Sequence, residues 1–397
     1  MYFKILNFFL LVSLYFPFGA YSQENLDNPS SDSYSYIVGD LSSGEIFVGK
    51  NEKLPLIPAS VLKIITSTVA LETLGGNFQF NTKVLYSKKY KNLVFKGFGD
   101  PVLFSKDIYS ILNLLKKRNI DNFNKVIIDD TAFVDPFEAK GPRAYHAGTS
   151  AFSLNNNSKE ILECDKNLVS NACKSIYISA QNIRSNIKEE IDTLLKELSF
   201  KFKKISFLEK SSDPIDKSYL EIYNFYSPPL TKIVYDLNHF STNMIAEQIV
   251  FQLGQKNEPY SYESGLKVLN KFFLKFKTSE LCYITDGSGL SRENKLTASF
   301  LFEVLRYGLN NPKINTELLQ SFSVANTSGT LKKRNFHKDL IFRGKTGSLD
   351  GVSTIAGLLV SKSGKQLVLV ALQNQVRDEI LAKKWEEKLI DNIWRDY

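Results

Sequence analysis

Cysteine and histidine are scarce in this chain of 397 residues, with three of each. The histidines, His146, His239 and His337, show no ligand spacing, so no metal or other cofactor is expected and each is read as a surface or structural residue. Cys164 and Cys173 stand nine positions apart; in an oxidising compartment they could close a local disulfide worth about 3 kcal/mol. Cys282 is left over in the apolar "ELCYIT", where no polar neighbour would activate it, so it reads as a buried thiol and not a nucleophile. Long apolar runs are also missing, with one exception. After Lys4 comes "ILNFFLLVSLYFPF", then small residues ending "AYS" before Gln23, the pattern of a secretory signal cleaved after Ser22. That run is shorter than the roughly 20 residues a membrane span needs, and Pro17 interrupts it. Periplasmic export is therefore expected, with membrane association at most peripheral. Nor is there a basic block: the formal net charge of +8 is spread along the chain, which favours an anionic surface weakly and argues against nucleic acid.

What is present is ordinary globular material, 43% hydrophobic and 23% charged, enough for a large core and about two domains. "SYIVGDLSSGEIFVGKN" alternates apolar and polar residues on both sides of a Ser-Ser-Gly turn and reads as a hairpin. Near the far end "DLIFRGKTGS", "VSTIAGLLVS" and "KQLVLVALQN" are three β-rich runs, and "RDEILAKKWEEKLIDNIW" closes the chain as an amphipathic helix. These would form one antiparallel sheet flanked by helices. The middle differs in texture, rich in Lys, Asn and Ser with short strands and helices, and reads as an inserted α/β domain. The expected division is a signal peptide at 1–22, a main domain of 23–76 plus 225–397, and an inserted domain of 77–224.

Within the main domain "LPLIPASVLKIITSTVALETLGG" reads as a helix that begins after Pro58 and ends at Gly75 and Gly76. From Val61 to Leu74 nearly every residue is apolar or Thr, and Lys63 is the only cation, so the helix is expected to be wrapped in protein. Ser60 and Lys63, three apart, share a face and can bring hydroxyl and amine within hydrogen-bond reach. Desolvation would lower the lysine pKa toward neutrality and make it a base, while the Ser60 N–H in the first helical turn could help hold an oxyanion. Spacing alone is weak, since Ser185 with Lys188 and Ser264 with Lys267 repeat it in charged surroundings. Two further elements give it company: "STN" places Ser241, Thr242 and Asn243 at the start of a second apolar helix, and "RGKTGS" places Lys345, Thr346 and Gly347 at the edge of the strand set. "SLN" at Ser153 and "KSG" at Lys362 imitate them, but only one set has all three in suitable settings.

In this order the three elements are those of penicillin-binding proteins and class A β-lactamases. The chain resembles the D-alanyl-D-alanine carboxypeptidases of the penicillin-binding protein 4 type, peptidase family S13. "GFGDPVL" at 97–103, "IIDDTAF" at 127–133, "STNMIAEQ" at 241–248, "DGSGLSREN" at 286–294 and "GKTGSLDGVSTIAG" at 344–357 all look like that family's segments. The resemblance implies a serine β-lactamase/transpeptidase-like α/β fold and an exported serine-type D-Ala-D-Ala carboxypeptidase. Peptidoglycan stem peptides would be its substrates, D,D cross-links further ones, and β-lactams its covalent inhibitors. Ser60 would be the acylated nucleophile, Lys63 its base, and Ser241 the proton relay to the leaving D-alanine. Asn243 would hold the substrate's peptide carbonyl, Lys345 and Thr346 the terminal carboxylate, with Lys345 also keeping Lys63 neutral. The N–H groups of Ser60 and Ser348, the latter just past Gly347, would form the oxyanion hole.

A β-lactamase of the same fold class is the nearest alternative, although it would have no use for the insertion; a non-catalytic scaffold is another, although the motif residues are intact. A stem whose third residue carries both ammonium and carboxylate needs an acid and a base to read it. Asp129 beside Phe133, and Arg292 in "GLSREN", are the candidates for that task. Asp350, where the resembling family often has a neutral residue, could favour a more cationic stem or simply pair with Arg292.

Overall fold

A computed structural model describes residues 31, 33–164, 173–209, 215–255 and 258–397. The expected signal peptide lies outside the described residues. Six strands make the larger sheet, in spatial order Ser323–Val324, Ile341–Leu349, Val352–Val360, Gln366–Asn374, Ser33–Asp40 and Ile46–Lys50, each pair antiparallel. The expected hairpin and three-strand set are thus joined edge to edge, with Ser33 opposite Asn374 and Asp40 opposite Leu367. Along Gln366–Asn374 the side chains part by the two-residue period of a strand. Val368, Val370 and Leu372 enter a core with the helices Lys63–Leu74, Asn243–Leu253 and Ala298–Asn310. Leu367, Leu369 and Ala371 enter a second core with Trp385, Leu389 and Ile393 of the closing helix Glu379–Asp396. Because both faces are covered, the central strands are apolar throughout rather than alternating.

The middle segment builds a five-stranded sheet in the order Leu220–Tyr226, Asn81–Ser87, Asn92–Gly97, Asn122–Asp129 and Lys201–Phe207. Its last two pairings are parallel, so each needs a crossover, supplied by the helices Ser105–Lys117 and Ile183–Glu197. Both helices lay an apolar stripe on one face of the sheet, Ile108, Ile111, Leu112 and Leu115 from the first and Ile187, Ile191 and Leu195 from the second. The segment's entry and exit strands, Asn81–Ser87 and Leu220–Tyr226, are hydrogen-bonded neighbours; position 224 falls inside the second of them. A hairpin of Ser158–Cys164 and Cys173–Ser179 stands apart, its register setting Cys164 opposite Cys173. The side chains of these two cysteines lie outside the described residues.

A small aromatic cluster binds this unit to the main domain. Phe133 stacks on Phe251 of the second apolar helix, ring centroids 4.0 Å apart and planes at 5°, with Phe98, Ala151 and Tyr260 around them. Gly99, at φ +88°, is required here, because a Cβ would stand 2.5 Å from the Phe133 ring.

Candidate active site

The expected helix after Pro58 opens as a single 3-10 turn, Ala59–Leu62, before the α-helix Lys63–Leu74, which ends at Gly75 with φ +82°. The tighter turn matters chemically, because residues three apart eclipse in a 3-10 helix. Lys63 Nζ accordingly lies 2.8 Å from Ser60 Oγ. Ala59, just before the serine, is held at φ +47°, a left-handed conformation an alanine keeps only where its surroundings impose it. Its carbonyl is packed so tightly that a Cβ on Gly289 would meet it at 1.9 Å, and Thr354 Oγ1 donates to the carbonyl of Pro58 at 2.9 Å. Every residue from Lys63 to Leu71 is buried.

Lys63 is 0% exposed. Burial draws its pKa down to about 7, against the upward pull of the Asp286 and Glu247 carboxylates. Its amine has two other neighbours besides Ser60, Asn243 Oδ1 at 2.6 Å and the Ser288 carbonyl at 2.7 Å. A neutral amine has two N–H bonds and one lone pair. With both N–H bonds given to these fixed acceptors, the lone pair is left facing the Ser60 hydroxyl, the arrangement of a general base.

Ser241, at φ +61°, and Thr242 precede the helix Asn243–Leu253, whose residues are all buried. The amide of Asn243 is committed at both ends, its Nδ2 donating to the Tyr145 carbonyl of the insertion at 2.9 Å. Lys345 comes from the strand Ile341–Leu349 and is also 0% exposed; its Nζ donates to Ser241 Oγ at 2.9 Å and to the Thr346 carbonyl at 2.7 Å. Burial, then the charge of Lys63, lowers its proton affinity. Burial is the first cause of the lowering at both amines. Gly347 lets the strand pass the nucleophile's backbone, for a Cβ there would stand 2.7 Å from the Ser60 nitrogen. Beyond it Ser348 is exposed at the mouth of the site and Thr346 half-buried, its hydroxyl donating to Thr330 Oγ1 at 2.8 Å.

The structure brings the three motifs together and disperses the side-chain readers. Asp129 is buried and accepts from the Thr131 N–H and hydroxyl at 3.0 and 2.7 Å, a turn that closes a strand end. It lines a pocket with Lys83, Lys96, Glu221 and Glu258, which contains no motif residue. Phe133 is spent in the stack on Phe251. Arg292 is exposed and donates to the Asp350 main-chain carbonyl at 2.6 Å rather than to its carboxylate. Of the mimics, Lys267 pairs with Glu263 at the surface at 2.6 Å, whereas Ser153 is buried and accepts from Gln248 Nε2 at 2.8 Å. Sequence reasoning missed Tyr145, Ser288 and Thr330. Ser288 stood in the quoted "DGSGLSREN", but a contact made through a main-chain carbonyl leaves no mark in residue type, and neither Tyr145 nor Thr330 belongs to a motif.

The model of the D-Ala-D-Ala carboxypeptidase 3 (S13) family matches residues 22–168 and 167–394. The chain belongs to this family. It is a serine-type D-Ala-D-Ala carboxypeptidase, as the resemblance implied. The peptidase is 23% identical to D-alanyl-D-alanine carboxypeptidase DacB of Haemophilus influenzae, over 87% of this chain and 86% of the relative. It is 24% identical to carboxypeptidase DacB of Mycolicibacterium smegmatis, over 88% of this chain and 78% of that one. Among solved structures it superposes on penicillin binding protein 4 of H. influenzae with a TM-score of 0.79 at 21% identity, covering 93% of this chain and 98% of the other. A predatory peptidoglycan endopeptidase from Bdellovibrio bacteriovorus gives 0.60 at 18%, covering 90% and 92%. At such identities these structural likenesses carry the fold, which is of the penicillin-binding-protein type.

Proposed function

We propose that the peptidase works on peptidoglycan stem peptides through an acyl-enzyme on Ser60. One observation carries this reading, the 2.8 Å contact between the Ser60 hydroxyl and a fully buried Lys63 whose pKa is about 7. Neutral Lys63 takes the hydroxyl proton as Oγ attacks the carbonyl of the penultimate D-alanine. The N–H groups of Ser60 and Ser348 hold the oxyanion, and the second N–H of the Asn243 amide holds the substrate's peptide carbonyl. Ser241, backed by Lys345, passes a proton to the departing amine, and water then hydrolyses the ester. Thr346 and Thr330 offer hydroxyls to the terminal carboxylate, with the Lys345 charge behind them. β-Lactams, which present a strained amide to the same serine, would acylate it; a B. bacteriovorus endopeptidase has been solved acylated by penicillin G.

A cleft of about 1030 Å³ beside Ser241 and Asn243 favours action on D,D cross-links as well. It is far larger than a departing D-alanine requires. Export to the periplasm rests on the N-terminal sequence, and among the described residues no helix is long and apolar enough to cross a membrane. Ser60→Ala should abolish both D-alanine release and the mass adduct left by penicillin, with the fold unchanged by circular dichroism. An adduct on the alanine variant would refute the assignment. Rapid turnover of penicillin by the native enzyme would favour a β-lactamase instead, and absence of any adduct a scaffold.

A further inference from the structure

The residues that hold the Ser288 carbonyl against Lys63 belong to none of the three motifs. The loop from Thr285 to Asn294 is pinned by two buried carboxylates. Asp286 accepts from the N–H groups of Gly289 and Ser291 at 2.7 and 2.6 Å and from Asn294 Nδ2 at 2.9 Å. Glu247, one turn into the helix that opens with Asn243, accepts from the N–H groups of Gly287 and Ser288, both at 3.2 Å, and from the Tyr262 hydroxyl. Thr66, on the same helix as Lys63, donates to the Gly287 carbonyl at 2.6 Å. The peptide unit before Ser288 is therefore clamped from two helices, and the unit after it, whose carbonyl meets the amine, is held by Asp286 through the Gly289 N–H.

A buried glutamate is costly to desolvate and is rarely kept for stability alone. Glu247 is buried and its partner Tyr262 partly buried beneath the site, and neither lines the cleft in which a substrate would lie. We propose that Glu247 is a positioning residue for the base: by anchoring the 287–288 backbone it fixes the Ser288 carbonyl, which with Asn243 Oδ1 takes both N–H bonds of neutral Lys63 and leaves its lone pair on the Ser60 hydroxyl. This rests on the Ser60–Lys63 reading above. The charged groups around the amine are Glu247 from its helix, Asp286 from the loop and Lys345 from the motif strand. Glu247 bears on Lys63 through the Ser288 peptide and through its charge, which favours the protonated amine. Removing the carboxylate therefore has two separable effects: the lone pair loses its aim, and the amine gives up its proton at a lower pH.

The test is the second-order rate of acylation by a fluorescent penicillin from pH 5 to 10, with thermal melts, for the native enzyme, Glu247→Gln and Tyr262→Phe. Glutamine can accept from one N–H of the loop but turns a donor on the other. We expect the rate at optimum to fall about 30- to 100-fold, the scale of a misaimed catalytic group, while the acid limb moves to lower pH. Tyr262→Phe, which removes one donor to Glu247 and leaves the carboxylate in place, should lower the rate at optimum by about three- to tenfold without moving the acid limb to lower pH, and it decides the matter if the glutamine variant does not fold. Variants that, corrected for the folded fraction, keep the native rate would overturn the proposal, as would a glutamine variant with the native acid limb. A native enzyme that is not acylated on Ser60 would instead overturn the reading it rests on.

Discussion

An amine that the unfolded chain would keep protonated cannot be buried for nothing. For Lys63 the ordinary pKa is 10.5 and the folded value about 7. Between those values the unfolded chain holds a proton that the native protein does not, so stability rises with pH across that window, and below about pH 7 the full cost of burial is borne. The same displacement serves the chemistry, because only the neutral amine can accept the Ser60 proton. Acylation by penicillin should rise with pH through about 7, and Lys63→Met should abolish it while raising the melting temperature at pH 6, by the equivalent of about 1–3 kcal/mol. That stabilisation should shrink toward pH 10. A gain of equal size at both pH values would mean that the folded protein keeps the lysine protonated. Lys63→Arg should stay inactive, since a guanidinium does not release its proton in this range.

The helix Asn243–Leu253 has no solvent face. It gives Asn243 to the site, Glu247 to the loop beneath Lys63, and Phe251 to the stack with Phe133, while Gln248 donates to the Ser150 carbonyl and Ser153 Oγ of the insertion, both at 2.8 Å. One helix thus couples the docking of the insertion to the placement of the base. Truncating Phe133 to alanine should cost about 3–5 kcal/mol, the usual range for a buried aromatic that leaves a cavity. It should also lower kcat on every substrate by a similar factor, through looser packing of this helix. A loss confined to stems with a charged third residue would instead return Phe133 to the substrate-reading role that its segment suggested.

On the scale of the molecule, the insertion makes one wall of the cleft beside Ser241. Tyr145, Glu160, Tyr177 and Glu190 line it from the insertion and Phe240 from the main domain; Tyr177 and Phe240, 61% and 62% exposed, present ring faces to the cleft's opening. In a D,D cross-link the leaving group is a second stem that departs as an alkylammonium, which suits a wall bearing carboxylates and ring faces. Tyr177→Ala should lower kcat/KM on a cross-linked muropeptide dimer by about five- to twentyfold, with less than a twofold change on the monomer. Equal losses on the two substrates would show that the wall does not discriminate between them.

The three motifs were legible in the sequence because each depends on residue type at short range: a serine and lysine one turn apart in an apolar helix, a serine and asparagine at a helix start, a lysine, threonine and glycine on a strand. The central strands were legible as continuous apolar, β-rich runs between turns, because both faces of the sheet are covered, and the closing helix by its amphipathic period. Asp129, Phe133 and Arg292 were not. A carboxylate, an aromatic ring and a guanidinium are equally good at closing a turn, filling a core and capping a carbonyl, and only the neighbours brought by folding choose among these uses. The tertiary structure alone decided what surrounds Lys63, because two of its neighbours, the Ser288 carbonyl and the Asn243 amide held by the Tyr145 carbonyl, depend on main-chain atoms that every residue possesses. Sequence determined which groups could do the chemistry; the packing of two helices and a loop determined where the lone pair of the base points.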